Sequence, residues 1–402
     1  MTGHDRMLAF TPATANSPYI HSVRRREFRP RGRYVVIVVA AVSVLTLAVV
    51  SVVIPTSTWA GGGSGSAMTV RVDVKDLSTK QKREFVSAIL KAKATPDPNN
   101  PDISRYDVFV NWHKNAFRCK NSWKQDGNYA GAAHNSPTFL PWHREYLHRF
   151  EAMLQDVSGD PDLALPYWDW TDPQSTKAVF AADFMGGSGD PEQNYAVTDG
   201  AFRKDNWTIS IQDPPSVLAD VTPPQDFIVR NFGSYFDAGI ALPTKRQVKD
   251  SLDVHKYDHK PYDANSPDAR SFRNTLEGWR DATPGECDEG WINVSQEPGS
   301  PHVLHNAVHI YVGGLWAGDD GTTTMGTMAY NTSPNDPVFF LHHANVDRIW
   351  AAWELEQGQH YRPQAGAQTG WNGDDTMWPW HDRTINSWLS TARNGYVYAS
   401  LP

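Results

Sequence analysis

Histidine is the residue type whose placement in this sequence indicates chemistry. Thirteen of the 15 histidines lie after residue 67, and six of them fall into three pairs: His134 with His143, His305 with His309, and His342 with His343. His305 and His309 are four residues apart, which on a helix places both imidazoles on one face, one turn apart. Two imidazoles in that arrangement can bind one ion. We therefore predict a metal half-site at His305 and His309.

The available ligand types restrict the metal. The residue after His305 is Asn306, so the glutamate of an HExxH zinc helix is lacking, and Cys119 and Cys287 are too far apart in sequence for a CxxC clamp. A site made of imidazoles alone suits copper, zinc, iron or nickel, and no carboxylate is placed to complete a facial triad for iron. The residues alone leave open whether one metal ion or two are bound.

Helical spacing of apolar residues indicates the elements that position these histidines. It runs through residues 72–93, where Ser78 or Thr79 would cap the helix. Later helices are predicted at about 106–113, 143–154, 302–311 and 339–355. Between about 172 and 265, Gly, Pro, Asp and Asn recur with no sustained period, and we predict long ordered loops because the stretch is too rich in aromatic residues for disorder. The chemistry is therefore expected between helices.

Composition and charge indicate a folded protein that does not bind nucleic acid. The 402 residues are 40% hydrophobic and 20% charged, which provides for a packed core. The net charge is −8, and because the first 67 residues contain seven arginines against two acidic residues, the rest of the chain carries −13. Such an acidic body is a poor binder of nucleic acid. We expect an export segment at 1–67 and one folded domain at 68–402, with the long loop insertion at about 172–265.

Residues 1–67 have the features of an export signal or signal anchor. Residues 35–54 are apolar apart from Ser and Thr, and six arginines precede them between positions 24 and 33. Such a run can cross a bilayer with its basic side in the cytoplasm. Residues 25–28 resemble a twin-arginine signal, and 58–67 combine a cleavage step with a Gly/Ser linker. We expect an exported protein, extracellular or anchored to the outer face of the cytoplasmic membrane.

Three segments together resemble the copper motifs of the tyrosinase family. HNSPTFLPWHREYLHRFE at 134–151 is similar to the first copper signature, and DPVFFLHHANVDRIW at 336–350 is similar to the second. HNAVHIYVGG at 305–314 is similar to the HNxVHxxVGG segment between them. The resemblance covers roughly residues 70–400 and is closest around the motifs. It implies a mainly α fold with a four-helix-bundle core, long loops and a few short strands, preceded by the N-terminal membrane or signal helix.

Carried over position by position, the resemblance implies a dinuclear copper site. The ligand sets that it implies are His113, His134 and His143 for one copper ion and His305, His309 and His343 for the other. The family pattern selects His343 over its neighbour His342. The assignment of His113 as a ligand rests on its position upstream of the first signature and on the preceding Tyr106-Asp107, since no long motif surrounds it. His148 and His302 lie near ligand positions but are not expected to bind copper.

The resemblance also implies an activity. Members of the family use O2 to oxidise o-diphenols to o-quinones, and some first hydroxylate monophenols, as in melanin biosynthesis. We therefore expect a phenolic small molecule and O2 as partners, no nucleic acid, and membrane contact only through residues 35–54. The alternative is a catechol oxidase or o-aminophenol oxidase without hydroxylation. A dioxygen carrier like the haemocyanins is a further alternative.

Hydroxylation requires a proton to leave a phenol whose pKa is near 10. In the family, this step is associated with a water held by a glutamate and by the asparagine after the first histidine of the second copper. Asn306 occupies the asparagine position. Glu277 lies in a segment, FRNTLEGW, that resembles the family's glutamate segment, although it precedes His305 by 28 residues. Glu297, eight residues before His305, competes by distance, and the surrounding sequence favours Glu277.

Three expectations concern residues outside the ligand sets. Asp347 either holds the second nitrogen of a ligand histidine or pairs with an arginine. Cys119 could bridge Cys287 after export. Residues 395–398 look like the motif at which the core of larger members ends, and the sequence stops at Pro402. We therefore expect no covering domain, and copper delivery by a separate chaperone chain.

Overall fold

The fold of the chain after the predicted export segment is given by a computed structural model. It describes residues 68–116, 133–212, 224–262, 266–267, 270–278, 304–318, 321–358 and 360–402. The export segment at 1–67, both cysteines, His302 and Glu297 lie outside the described residues, so the predictions that concern them stay predictions. Among the described residues, no helix combines the length and the apolar character needed to cross a membrane.

Helices are the main regular elements. Those in the described residues are α1 (Thr79–Ala94), α2 (Arg105–Ala116), α3 (Phe139–Ser158), α4 (Pro173–Val179), α5 (Lys245–Leu252), α6 (Phe272–Glu277), α7 (His305–Gly313) and α8 (Val338–Gln357). The two longest, α3 and α8, have 20 residues each. The mainly α class is therefore confirmed, whereas the four-helix-bundle core stays a prediction.

The strands are short and form two-stranded sheets. They are β1 (Thr69–Arg71), β2 (Leu315–Ala317), β3 (Thr323–Met325), β4 (Thr376–Met377), β5 (Trp380–Thr384) and β6 (Tyr396–Tyr398). β2 pairs with β3 and β4 with β5, both antiparallel. β1 pairs with β6 in parallel, with Thr69 opposite Tyr396. This last pair joins the beginning of the described chain to its end.

Local capping sets where the helices begin. α1 starts at Thr79 and not at 72, because Ser78 closes a capping box in which its side chain and that of Gln81 bond each other's backbone N–H. α3 starts at Phe139, four residues before the predicted start. Pro141 is tolerated there because the N–H groups of a first helical turn have no intrahelical acceptor. The extra turn places the carbonyl of Phe139 beneath the imidazole of His143.

The stretch 172–265 was expected to consist of loops, and that expectation is wrong for two segments. α4 and α5 lie within it, each with a side-chain N-cap. Asp172 caps α4 and is followed by Pro173 at the first helical position, while Thr244 and Gln247 form a capping box on α5. Both signals are visible in the sequence, but the helices have only seven and eight residues and show no long apolar period.

Aromatic side chains pack α3 against α8. The rings of Phe150 and Phe340 are stacked with centroids 3.4 Å apart, and Tyr146 stacks on Phe340 at 5.7 Å. All three are fully buried. Because the contact lies within two turns of His143 and three residues from His343, it fixes the separation of the helices where these histidines project.

A buried ion pair joins the same two helices. Arg144 Nε donates to Asp347 Oδ1 at 2.6 Å, and Arg144 Nη1 donates to Glu354 Oε2 at 2.8 Å. Asp347 Oδ2 accepts from the hydroxyls of Tyr396 and Tyr398, each at 2.6 Å. Burial alone would raise the pKa of Asp347, but the guanidinium of Arg144 and that of Arg71 hold this pKa below its usual value. Of the two roles expected for Asp347, pairing with an arginine is the one that the structure shows.

A second buried pair anchors the start of α8 to the long loop region. Arg230 Nε and Nη2 donate to the two oxygens of Asp336, both at 2.7 Å, and both side chains are fully buried. Arg230 Nη1 also donates to the carbonyls of Met185 and Gly186. Asp336 Oδ1 accepts from the backbone N–H of Val338 at 3.1 Å. The pair therefore holds the loops against the first turn of the helix that presents His343.

Replacing Asp336 with alanine should destabilise the protein strongly, because the buried Arg230 would lose its counter-ion. Breaking a buried pair by removing one partner costs about 3 to 5 kcal/mol. The matched control is Asp250→Ala, which removes an ion pair with Arg246 whose side chains are 36% and 86% exposed. An exposed pair contributes about 0 to 1 kcal/mol. Urea unfolding followed by tryptophan fluorescence measures both, and equal losses would contradict the role given to Asp336.

Candidate metal centre

Two groups of buried histidines lie in the interior of the described fold. The first is His113, His134 and His143, and the second is His305, His309, His342 and His343. Within each group, the ligand-type nitrogen atoms lie within 4.8 Å of one another. All six histidines of the predicted ligand sets are therefore brought together, three in each group.

The first group is assembled from two helices and a loop. His113 projects from α2 and His143 from α3, while His134 lies in the segment before α3. Their ring centroids are 5.0 to 5.7 Å apart. The Nδ1 of His113 donates to the carbonyl of Asn331 at 2.7 Å, and that of His143 to the carbonyl of Phe139 at 2.8 Å. Each of these rings therefore turns its Nε2 toward the centre of the group.

The second group is assembled from α7 and α8. His305 and His309 lie one turn apart on α7, with ring centroids 4.5 Å apart, and His343 comes from α8. The Nε2 of His343 lies 3.2 Å from that of His305 and 3.3 Å from that of His309. The half-site predicted from the four-residue spacing is therefore completed by a third imidazole from another helix.

The protonation of these rings follows from their outer partners. The Nδ1 of His309 lies 2.7 Å from the carbonyl of Met328, and that of His305 lies 2.7 Å from Asn306 Oδ1 and 3.2 Å from the carbonyl of Glu277. Amide and carbonyl oxygens only accept, so the proton of each ring is on Nδ1 and Nε2 carries a lone pair. The Nε2 lone pairs of His305 and His309 are directed at Nε2 of His343, at 3.2 and 3.3 Å. The donor set therefore fits a metal ion.

Burial keeps the imidazoles uncharged. It lowers the pKa of His143 to about 3 and that of His309 to about 4, and it holds the pKa values of the other histidines in both groups well below the usual 6.5. A neutral imidazole is the form that binds a metal. In the described part of the chain, the buried Nε2 of His143 has no hydrogen-bond partner, which again leaves a lone pair for an ion.

The two groups face each other across a short distance. The rings of His143 and His343 are stacked with centroids 4.2 Å apart and an interplanar angle of 16°. His134 and His305 also lie on opposite sides, with centroids 6.0 Å apart. Two ions held by the two groups would therefore be close enough to act on one small molecule.

His342 also belongs to the second group, although the family pattern in the sequence selects His343 in its place. Its ring stacks on that of His305 at 5.1 Å and lies 5.3 Å from that of Trp170. Its ring nitrogens are fully buried and make no hydrogen bond to a side chain among the described residues. His343 differs from His342 in one respect: its Nε2 lies 3.2 and 3.3 Å from the Nε2 atoms of His305 and His309 on α7.

Glu277 lies at the junction of the two groups. Its Oε1 accepts from the backbone N–H of Asn135, the residue after His134, at 2.7 Å. Its Oε2 accepts from Arg273 Nη1 at 2.8 Å, and its backbone carbonyl faces Nδ1 of His305. Burial raises the pKa of the carboxyl to about 7, although Arg273 opposes the shift. Glu277 therefore touches the backbone of one group and the imidazole of the other.

The remaining predicted and unpredicted residues are placed as follows. Asn306 is buried with Oδ1 against its own neighbour His305, and half-buried His148 packs on Trp388 outside both groups. Sequence reasoning missed Arg273, although its spacing of four from Glu277 on a helix was a usable signal. It also missed the carbonyls that orient the imidazoles, which are those of Phe139, Met328 and Asn331.

Known proteins resemble this chain over most of its length. The family model described as the common central domain of tyrosinase matches residues 103–356. The chain is 37% identical to a tyrosinase of Streptomyces lincolnensis over 78% of this chain and 93% of the relative. It is 36% identical to a tyrosinase of Streptomyces antibioticus, covering 81% and 98%, and 33% identical to a grixazone synthase of Streptomyces griseus, covering 81% and 97%.

Solved structures show a similar fold. A polyphenol oxidase variant from Thermothelomyces thermophila superposes with a TM-score of 0.55 at 21% identity. The similarity covers 83% of this chain and 89% of that one. At this identity, the likeness concerns the fold alone.

Glutamine at His343 should remove one of the two copper sites, whereas glutamine at His342 should leave both. The reason is that the Nε2 of His343 lies 3.2 Å from that of His305 and 3.3 Å from that of His309. Each change replaces one buried ring by a shorter polar side chain, so the two variants are matched. Copper bound per chain, measured by atomic spectroscopy on protein with native near-ultraviolet circular dichroism, distinguishes them. Loss of copper in His342→Gln with retention in His343→Gln would contradict the assignment.

Proposed function

Because this chain belongs to the tyrosinase family of dinuclear copper oxidoreductases, we propose that it uses O2 to hydroxylate monophenols and to oxidise o-diphenols to o-quinones. The observation that carries the proposal is the pair of buried imidazole groups that face each other, with His143 and His343 stacked at 4.2 Å. Quinones of this kind polymerise to melanin-type pigments, which is the biological role we propose.

The proposed ligands divide between the two groups. The ligand sets are His113, His134 and His143 for one copper ion and His305, His309 and His343 for the other. When bound, the copper pair would pass electrons to O2 and take them from the phenolic substrate. The chain contributes neutral imidazoles, oriented by backbone carbonyls in a buried site. Helices α2, α3, α7 and α8 supply five of the six ligands, and we propose that they form the four-helix core.

Proton handling is the role proposed for Glu277 and Asn306. The proton of a phenol needs an acceptor at neutral pH, since the free pKa is near 10. A carboxyl whose pKa is about 7 can both take up and release a proton under these conditions. Asn306 lies beside the same imidazole, with Oδ1 2.7 Å from Nδ1 of His305. We propose that these two side chains hold the water that receives the phenol proton.

A second candidate function is oxidation of o-diphenols or o-aminophenols without hydroxylation. The observation that favours it is the engagement of both carboxylate oxygens of Glu277, one by Arg273 and one by the N–H of Asn135. A carboxylate oxygen has two lone pairs, so a water can still bind, but it competes with these partners.

The proposed place of action is outside the cytoplasm. The support is the arginine-rich, apolar and Gly/Ser-rich sequence of residues 1–67. We propose export, with the folded domain extracellular or held at the outer face of the membrane. Copper delivery by a separate chaperone chain is part of the same proposal.

A paired assay with tyrosine and catechol tests the proposed function. The copper-loaded protein should convert catechol to its quinone at once and tyrosine after a lag, because tyrosine must first be hydroxylated to the o-diphenol whose oxidation gives the measured quinone. Zinc-loaded protein is the control, since zinc has no redox chemistry. Quinone absorbance measures both reactions. Turnover of catechol alone would reject hydroxylation and leave the second candidate, and turnover of neither would reject both.

Replacing Asn306 with alanine should affect hydroxylation more than oxidation. We expect kcat/KM for tyrosine to fall about tenfold further than that for catechol, because only hydroxylation requires the bound water. Asn306→Asp is the matched control for the orientation of His305, since it retains an oxygen at the position that accepts from Nδ1. If alanine lowers both substrates equally and aspartate restores both, Asn306 only orients the imidazole.

A further inference from the structure

A row of tryptophans leads from the first histidine group toward the surface. The ring of Trp142 lies 5.0 Å from that of the adjacent His143 and 6.1 Å from that of His113. Trp380 lies 5.2 Å from Trp142, and Trp112 lies 5.4 Å from Trp380. Trp142 and Trp380 are buried, whereas Trp112 is only partly buried. No gap between successive indole rings in this row is wider than an ordinary aromatic contact.

The outer end of the row opens on a groove. Trp112 lines a groove of about 560 Å³ between α2 and α3, together with Arg105, Arg149 and the loop at Asp97. A small molecule in this groove can touch the indole of Trp112 without entering the metal centre. The row therefore connects the buried histidines with a place that solutes can reach.

We infer that Trp142, Trp380 and Trp112 conduct electrons, one at a time, from a reductant in the groove to the metal centre. The inference rests on the proposed function, because the oxidant at the centre comes from O2. The reductant is a one-electron donor of the phenol or enediol class. The row protects the protein when O2 has reacted and no phenol occupies the site.

The electron balance defines when the row is used. Reduction of O2 to two waters takes four electrons and four protons. A bound, reduced copper pair would supply two of the electrons, and a diphenol would supply the other two. Without a diphenol, two donors in the groove each lose one electron and become radicals, the electrons pass along the row, and the protons come from solvent.

The hydrogen bonds of these indoles favour passing an electron along the row over keeping an oxidised indole in place. Trp142 Nε1 donates to the carbonyl of Trp378 at 2.6 Å, and the buried Nε1 of Trp380 has no partner among the described residues. Neither indole has a base to take its proton after oxidation, so neither is a stable resting place for the missing electron. The guanidinium of Arg149, which lies 5.1 Å from the ring centroid of Trp380, is paired with the carboxylates of Glu145 and Asp382 and takes no proton either. The missing electron is therefore passed outward from Trp142 and Trp380 to Trp112.

Among the described residues, the other aromatic rings near the centre do not provide a second exit. Trp170 lies 5.3 Å from His342, but no further aromatic ring contacts it among the described residues. Tyr146 stacks on Trp142 at 4.9 Å, yet its hydroxyl donates to the carbonyl of Phe109, which cannot accept a proton. The remaining neighbours are Phe139 and Phe339, whose rings are hard to oxidise.

Phenylalanine at Trp380 breaks the row, and phenylalanine at Trp388 is its matched control. Trp388 is equally buried, also has an unpartnered Nε1 among the described residues, and also lies under an arginine, Arg383, at 3.9 Å. Its ring contacts His148 and no histidine of either group. Trp112→Phe, at the partly buried end, tests the exit with less risk to folding.

The experiment supplies hydrogen peroxide and ferrocyanide to the copper-loaded full chain in the absence of any phenol. One H2O2, two ferrocyanides and two protons give two waters and two ferricyanides, whose absorbance is recorded. We expect ferricyanide formation to fall about tenfold in Trp380→Phe and in Trp112→Phe, and to stay unchanged in Trp388→Phe. Zinc-loaded protein gives the uncatalysed rate.

A second measurement follows damage instead of turnover. Without ferrocyanide, peptide mass spectrometry should find oxidised Trp112 accumulating ahead of oxidised Trp388 in the unmodified protein, and Trp112 should be spared in Trp380→Phe. Catechol oxidation is measured on every sample. Its absence from the unmodified protein would overturn the proposed function and this inference together. Normal catechol oxidation with equal ferricyanide rates in Trp380→Phe and Trp388→Phe, or with no preference for Trp112, overturns this inference alone.

Discussion

Six imidazoles can present lone pairs to two cations only if burial keeps them unprotonated and other groups hold their second nitrogens. Burial meets the first condition for all six, and oxygen acceptors hold the Nδ1 atoms of four of them, which are those of His113, His143, His305 and His309. Burial lowers the pKa of His143 and His309 to about 3 and about 4, and backbone carbonyls accept from their Nδ1 atoms. Carbonyls carry no charge, so they orient the rings without adding the charge that a carboxylate would bring. The two sets of ligands therefore stay neutral in the buried site.

That arrangement needs helices whose spacing is fixed by something other than the histidines. The stacked rings of Phe150 and Phe340 and the ion pair of Arg144 with Asp347 provide this spacing between α3 and α8. The tyrosines of β6 bond Asp347 in turn, and β6 is paired with β1. The ends of the described domain thus reinforce the same carboxylate that joins the two histidine-bearing helices. Asp347 acts on the centre through helix position and not through a ligand ring.

The sequence could predict those parts of the site that depend on local spacing. His305 and His309 follow from a four-residue interval on one helix, and the long helices follow from their apolar period. The carbonyls of Met328 and Asn331 could not be predicted, because a backbone acceptor is identified by the path of the chain and not by residue type. The partner of Asp347 was equally inaccessible, since Arg144 is 203 positions away. The helices α4 and α5 could have been predicted from their caps, which outweigh the lack of a long period in short helices.

The aromatic residues around the centre serve two different purposes, which are resistance to oxidation next to the ions and electron transfer to the surface. Phe139 and Phe339 contact the histidine rings at centroid distances of 4.1 to 4.9 Å, so the groups nearest the ions are apolar and resist oxidation. On the side of the first group, an oxidisable indole, Trp142, also contacts the histidines, and from it Trp380 and Trp112 lead outward. Trp170 also lies beside the histidines, at His342, but it contacts no further aromatic ring among the described residues, whereas the indoles that start at Trp142 continue to a groove. The sequence contains 16 tryptophans, and three of them form a row that runs from the histidines to a groove. The direction of this row therefore links the tryptophans of the core to the oxidising chemistry of the metal centre.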